Sequence, residues 1–177
     1  MSGSSFLNKT EAKLVSDVVN KLLHVTDEAS TYSNKLSIKE ITVLTFYQAQ
    51  VKCIKDQLRD RVAVNSVDGF QGCENEVIVA STVRANRNGT IGFLGERNRL
   101  NVLFTRAKRG LIVIGDQRTL STSEEWSRWL NCAPKLEESV VTIPVNKSNN
   151  IHQKYGKPYT DTVVGRKARS HGKYKRK

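Results

Sequence analysis

Two stretches of this 177-residue chain carry the residues best suited to chemistry. The first, Ser66-Val67-Asp68-Gly69-Phe70-Gln71-Gly72-Cys73-Glu74, sets two glycines among polar side chains. Glycine admits tight turns and lets the backbone come close to a ligand, while Gln71 and Glu74 offer polar groups beside it. Taken alone, that composition more commonly marks a turn in which Asp and Gly do turn work. The second stretch, Arg99-Leu100-Asn101-Val102-Leu103-Phe104-Thr105-Arg106-Ala107-Lys108-Arg109, reads as a helix leading straight into a buried strand. Arg106 is offset from Phe104 and adjoins Ala107, so it need not point into the core. By itself it is more readily a surface arginine than a catalytic one. No Gly-x-x-x-x-Gly-Lys-Ser/Thr loop occurs in the sequence, so nothing in it cradles β- and γ-phosphates. Cys53, Cys73 and Cys132 lack the close pairing of a zinc site.

The elements that must hold these stretches alternate between helices and strands. Leu14, Val15, Val18, Val19, Leu22 and Leu23 share one helical face, and Asn8 with Glu11 three residues on can cap that helix. Ile41 to Thr45 reads as a buried strand, and Val51, Ile54 and Leu58 mark a following helix. Val64 to Val67 and Val77 to Val83 are two further strands. Leu100, Phe104 and Ala107 place a helix before the strand Leu111 to Ile114, and Trp126, Trp129 and Leu130 close the body with an amphipathic helix. Strands separated by helices predict an α/β fold, a parallel sheet covered on both faces. In such sheets ligands sit beyond the carboxyl ends of the strands, where the unusual polar residues fall.

Charge is unevenly placed. Residues 147–177 hold ten Lys and Arg against the single acid Asp161, which accounts for nine of the twelve net positive charges. The expectation is a body over 5–135 and a basic tail over 136–177 without regular structure. The tail reads equally as a nuclear localisation signal and as a nucleic-acid-binding arm, and the two are compatible. No apolar run approaches the roughly 18 residues that a bilayer span needs, so no membrane contact is expected. The opening Met1-Ser2-Gly3-Ser4-Ser5 lacks a signal-peptide pattern, and a reducing compartment, cytosol or nucleus, is expected.

In order and spacing, the motifs resemble the carboxyl-terminal RecA-like motor domain of superfamily 1 helicases, in the group of the nonsense-mediated-decay helicase and senataxin. Ile41-Thr42-Val43-Leu44-Thr45-Phe46-Tyr47-Gln48-Ala49-Gln50 resembles motif IV, Val67 to Glu74 motif V, and Arg99 to Lys108 motif VI. Arg84-Ala85-Asn86, Ile91-Gly92-Phe93-Leu94 and Asn8-Lys9-Thr10-Glu11-Ala12 also match, so the resemblance runs from about Ser5 to about Leu130. It implies a RecA-like sheet and a cleft in which ATP and Mg2+ are shared with an amino-terminal motor domain, in cis or in trans. Arg106 would be the arginine finger on the γ-phosphoryl group, a role suited to a guanidinium that stays charged and can bind two phosphate oxygens. Glu74 would accept from the ribose, with Gly72 allowing close approach, and Gln71 would couple nucleotide state to the strand-binding face. Thr45, Tyr47 and Ser66 would meet the backbone of RNA or DNA, single-stranded by expectation. Asp68 and Asn101 would fix loops through local hydrogen bonds. Phe46 stands where the family commonly has proline, Cys73 where it has a basic residue, and Leu103-Phe104 is bulkier than the usual alanine-leucine pair. Asp27-Glu28-Ala29-Ser30 imitates the acidic box of helicases, but the residues before it continue a helical period. Two functions follow: half of an ATP-driven translocase that does not turn over ATP alone, or a non-enzymatic nucleic-acid-binding adaptor.

If the tail is a nucleic-acid arm, deleting residues 147–177 weakens binding to a single-stranded oligonucleotide and flattens its dependence on salt. Affinity titrated across a salt series measures this, and an unchanged slope makes the segment a targeting signal instead.

Overall fold

The computed structural model describes residues 5–28, 36–86, 88–133 and 162–167. Helix α1 spans Lys9–Glu28, strand β1 Ile41–Thr45, helix α2 Gln48–Leu58, β2 Ala63–Ser66 and β3 Asn75–Ser81. Helix α3 follows over Arg97–Thr105, β4 over Ala107–Gly115, the short α4 over Gln117–Leu120, α5 over Glu124–Cys132 and β5 over Thr162–Lys167. The strand order is β2-β1-β3-β4-β5, with the first four parallel and β5 antiparallel on the edge of β4. The α/β class and the parallel sheet are as the sequence predicts. No described helix is long and apolar enough to cross a membrane.

Alternation along each strand builds two cores. Ile41, Val43, Val77 and Val79 face α1 and α2, packing with Val15, Val19, Ile54 and Leu58. Leu44, Ile78, Ala80 and Val113 face the other way, against Leu100, Leu103, Trp126 and Trp129. Side chains alternate across a strand, so these apolar strands need a helix layer on each face. Trp126 is fully buried and its indole N–H donates to the Leu94 carbonyl at 2.8 Å, which satisfies the one polar atom the ring brings inside.

After β1 the chain moves to one side of the sheet, and after β3 it moves to the other. The carboxyl ends of these two neighbours therefore border a crevice where the connections part, the usual ligand position in open α/β sheets. Glu74 and Arg106, expected at carboxyl ends, instead immediately precede β3 and β4 at their amino ends.

Three boundaries differ from expectation. β4 starts at Ala107 rather than Leu111, so Ala107 belongs to the strand and only Arg106 separates it from α3. β3 ends at Ser81 rather than Val83, because Val83 adopts φ +69° and leaves the ladder. A tail without regular structure is corrected at Thr162–Lys167, which pairs with Gly110 to Gly115 of β4. Its β-branched Thr162-Val163-Val164 suits a strand, and the open edge of β4 supplies the backbone partners. The rest of 136–177, and Ala29-Ser30 of the acidic-box look-alike, lie outside the described residues.

At the end of β4, a Cβ on Gly115 would fall 2.1 Å from Thr82 Oγ1 and 3.2 Å from its Cβ. Gly115→Ala is therefore expected to cost about 1–3 kcal/mol by overpacking. Adding Thr82→Ala should recover most of that loss. Urea unfolding of the single and double variants measures both.

Candidate functional site

The first polar stretch turns as soon as β2 ends. Ser66 Oγ accepts the Gly69 N–H at 3.1 Å, and a single 3-10 turn over Asp68–Phe70 buries the Phe70 ring. Gly72 then takes φ +83°, a region side chains rarely enter. Nothing lies within 4 Å of where its Cβ would be, so the backbone angle, not crowding, calls for glycine, and the space beside it is open. Asp68 receives a two-point contact from Arg99, Nε at 2.8 Å and a terminal nitrogen at 2.9 Å. The bond joins residues 31 apart in sequence and ties the loop to α3, so Asp68 works across elements rather than locally. The Asn101 side chain is exposed and fixes no loop; its carbonyl is used within α3 instead.

That carbonyl accepts the Thr105 hydroxyl at 2.7 Å as α3 stops. Arg106 follows at φ −87°, ψ −13°, and β4 begins with the next residue. Its Nε and one terminal nitrogen donate to Thr105 Oγ1 at 3.2 and 3.0 Å, and the other terminal nitrogen reaches the Cys73 carbonyl at 3.5 Å. The Arg106 carbonyl accepts the Asn75 N–H at 3.1 Å, so backbone and side chain both hold it to the segment around Glu74. Glu74 pairs with Lys108 Nζ at 2.8 Å, and both groups are exposed. The hydrogen bond from Lys108, its charge and, less strongly, the charge of Arg106 hold the Glu74 carboxyl below the usual carboxylate value. The same contact raises Lys108. Gln71 is exposed at the edge of this rim, its N–H on the Asp68 carbonyl at 3.4 Å. Arg106 and Glu74 are thus brought together, with Gln71 and Gly72 beside them.

Thr45, Tyr47 and Ser66 do not form an exposed strip with that rim. Thr45 and Ser66 are register neighbours on β1 and β2, but Thr45 is fully buried and its hydroxyl has no hydrogen-bond partner among the described residues. Tyr47 is buried beneath Phe6 and Phe93, with ring centroids at 5.6 and 5.9 Å. Burial raises its phenol pKa, while Arg84 and Arg99 pull it down. The open aromatic surface here belongs to Phe6 and Phe93, 44% and 45% exposed.

Sequence reasoning missed the buried polar cluster behind these rings. Glu11 N–H donates to Asn8 Oδ1 at 3.1 Å, as a cap should, but the return bond comes from Asn8 Nδ2 at 3.2 Å. The Asn8 N–H goes instead to Gln50 Oε1 at 2.8 Å, and Gln50 Nε2 donates to the Asn8 carbonyl and to Ser81 Oγ, both at 3.0 Å. Glu11 Oε2 accepts Ser81 Oγ–H at 2.6 Å and the Val83 N–H at 2.8 Å. Val83 at φ +69° centres a three-residue turn closed by Arg84 N–H on the Thr82 carbonyl at 2.7 Å. A β-branched residue there stores roughly 1–3 kcal/mol of strain. Gln50 shares the buried face of α2 with Ile54 and Leu58, a spacing that marks a polar group inside the core. For Val83 no sequence signal exists, since valine is among the last residues a left-handed turn would select.

A family model described as an AAA domain (AAA_12) matches residues 1–118. A putative regulator of nonsense transcripts 1 from Takifugu rubripes is 33% identical over 166 residues, covering 89% of this chain and 14% of that protein. The DNA polymerase alpha-associated DNA helicase A of Schizosaccharomyces pombe is 39% identical over 143 residues, 78% of this chain and 20% of that one. The ATP-dependent helicase NAM7 of Saccharomyces cerevisiae is 38% identical over 131 residues, 73% of this chain and 13% of that one. Among solved structures, a phosphoethanolamine N-methyltransferase 2 of Haemonchus contortus aligns at TM-score 0.41 and 13% identity, over 86% of this chain and 36% of that one, too slight a likeness to bear on function. The chain spans between 11 and 20% of the length of eight curated relatives it matches, these three among them. With the model matched over most of the chain and the motor motifs set on a parallel sheet, the chain belongs to the AAA-domain family that forms the carboxyl-terminal part of superfamily 1 helicases.

Proposed function

We propose that this chain is the second motor domain of an ATP-dependent RNA or DNA helicase, supplying the arginine finger and part of the single-strand track. One observation carries the reading: the Arg106 guanidinium lies on the same exposed rim as Glu74, beside the open space at Gly72. A nucleotide on that rim would meet a permanent cation, an acceptor for its ribose and a backbone free of side-chain bulk. Arg106 leans on Thr105 and only grazes the Cys73 carbonyl, so its fork can be redirected to phosphate at little cost. Glu74 would exchange part of its contact with Lys108 for a ribose hydroxyl, and Gln71 would relay nucleotide state along the rim. Among the described residues no group of three His, Cys, Asp or Glu could hold a metal. We assign the phosphate loop and the Mg2+ donors to an amino-terminal motor domain, and infer that the 177-residue polypeptide alone does not turn over ATP. Cytosol or nucleus is the compartment that suits such a motor.

The alternative reading is an adaptor that binds strands without turnover. The retained Arg106, Gln71 and Glu74 argue for the motor, because a module that only binds strands has no use for them.

Joined to an amino-terminal motor domain that carries a phosphate loop, Arg106→Ala should lower ATP turnover by about 10³-fold or more. Oligonucleotide affinity should stay near the parent value, and a variant with normal turnover removes the finger assignment. Lys108→Ala should let the Glu74 carboxyl titrate higher, back toward an ordinary carboxylate, because the hydrogen bond and charge that depress it are gone. Carboxyl NMR across an acid titration reads that shift.

A further inference from the structure

The crevice between β1 and β3 opens on a surface that the Arg106 rim does not use. A groove of about 680 Å3 lies there, with residues 6–9 on one wall and 83–86 on the other. Its accessible ring is Phe6, and the Arg84 guanidinium carbon sits 4.7 Å from that ring's centroid. Arg84 Nε and one terminal nitrogen donate to the Thr90 carbonyl at 3.1 and 2.9 Å, which leaves the other terminal nitrogen without a hydrogen bond among the described residues.

We propose that Glu11 is a positioning residue whose buried carboxylate locks the left-handed turn at Val83. The lock sets Arg84 against Phe6 in a groove that receives an unstacked base, with its phosphate, from a single strand. The inference rests on reading the chain as a strand-tracking motor domain and names the place of contact. Bases stack on aromatic rings and on guanidinium planes whatever their sequence, and the guanidinium lying over Phe6 also reaches the adjoining phosphate. The groove joins these two groups at the point where the sheet's connections diverge.

The turn needs a lock because Val83 resists its own conformation. Extended backbone would continue the direction of β3 and carry Arg84 away from Phe6. Glu11 Oε2 takes the Val83 N–H at 2.8 Å and the Ser81 hydroxyl at 2.6 Å, gripping the chain on both sides of Thr82. Asn8 Nδ2, at 3.4 Å from the Val83 carbonyl, adds a weaker hold from the same end of α1. Phe6 lies just before that helix, so one carboxylate fixes both walls of the groove relative to each other.

The experiment titrates the 177-residue chain into a fluorescein-labelled oligouridine of about twelve nucleotides, within the site sizes usual for such grooves. Fluorescence anisotropy reads affinity and amide exchange at Val83 reads the turn. Glu11→Gln should weaken binding about tenfold, the size of losing one stacked base, and speed exchange at Val83. Arg84→Ala should weaken it similarly, and the double variant should bind no worse than Arg84→Ala alone. Val83→Gly, at ease in the left-handed region, should restore most of the affinity lost in Glu11→Gln. Full affinity in Glu11→Gln despite faster exchange would overturn the proposal, as would additive losses in the double variant. Displacement of the oligouridine by stoichiometric ATP would also overturn it, giving the groove to a free nucleotide. A parent chain that binds no oligouridine at any salt concentration removes the strand-tracking reading itself, an outcome distinct from the failure of Glu11 alone.

Discussion

Parallel pairing between β1 and β3 is the constraint on which the rest depends. The strands run side by side in register from Ile41 with Val77 to Thr45 with Ser81, so both chains leave the sheet at the same end. Their onward connections go opposite ways, and the segment before α1 enters between them, with the Asn8 N–H on Gln50 and Asn8 Nδ2 on the Val83 carbonyl. The buried polar cluster at that end is a response to this geometry. Thr45 and Ser81 end their strands fully buried, and Ser81 is taken up by Glu11 and Gln50. Buried polar groups without such partners are costly, which explains why helices α1 and α2 each send one polar side chain into an otherwise apolar layer.

The surface divides into two regions with different supports. Arg106 stands half-buried just before β4, on Thr105 and the Cys73 carbonyl, while Glu74 and Lys108 are exposed and held by a charge–charge contact that water screens. Phe6, Tyr47, Phe93 and Arg84 stand over the crevice, supported from beneath by a largely buried hydrogen-bond network. The first region can rearrange its pairings at little cost when a ligand arrives. The second is set by bonds that few ligands could reach.

How much of this was legible in the sequence follows from how local each signal is. The strands Ile41–Thr45 and Asn75–Ser81 are near-continuous apolar runs, so doubly covered strands could be read directly. The motif order carried Arg106 and Glu74, and the structure puts them on one rim. Asp68 was visible as a turn residue, but its partner Arg99 lies too far along the chain for spacing to suggest the pair. The Asn8–Glu11 cap was read correctly as a cap. Its second duty, holding Ser81 and Val83, depends on tertiary contacts that no periodicity encodes. Tyr47 and Thr45 were placed by family position alone, and burial beneath Phe6 and Phe93 could only come from the fold. β5 was missed because six residues in a basic, glycine-containing segment carry too weak a pattern, and its partner β4 is far away in sequence.

The mounting of Arg106 has a mechanical consequence. With no loop between α3 and β4, and with its carbonyl bonded to the Asn75 N–H, the residue is the first rung of the β3–β4 ladder. Its compliance is therefore that of the sheet. A force on the backbone there is borne by neighbouring strands rather than absorbed at a hinge, and little give remains except in the side chain's own rotamers. Large displacement of this arginine must come from movement of the domain as a solid body, so the travel of the guanidinium reports how far the whole sheet has turned.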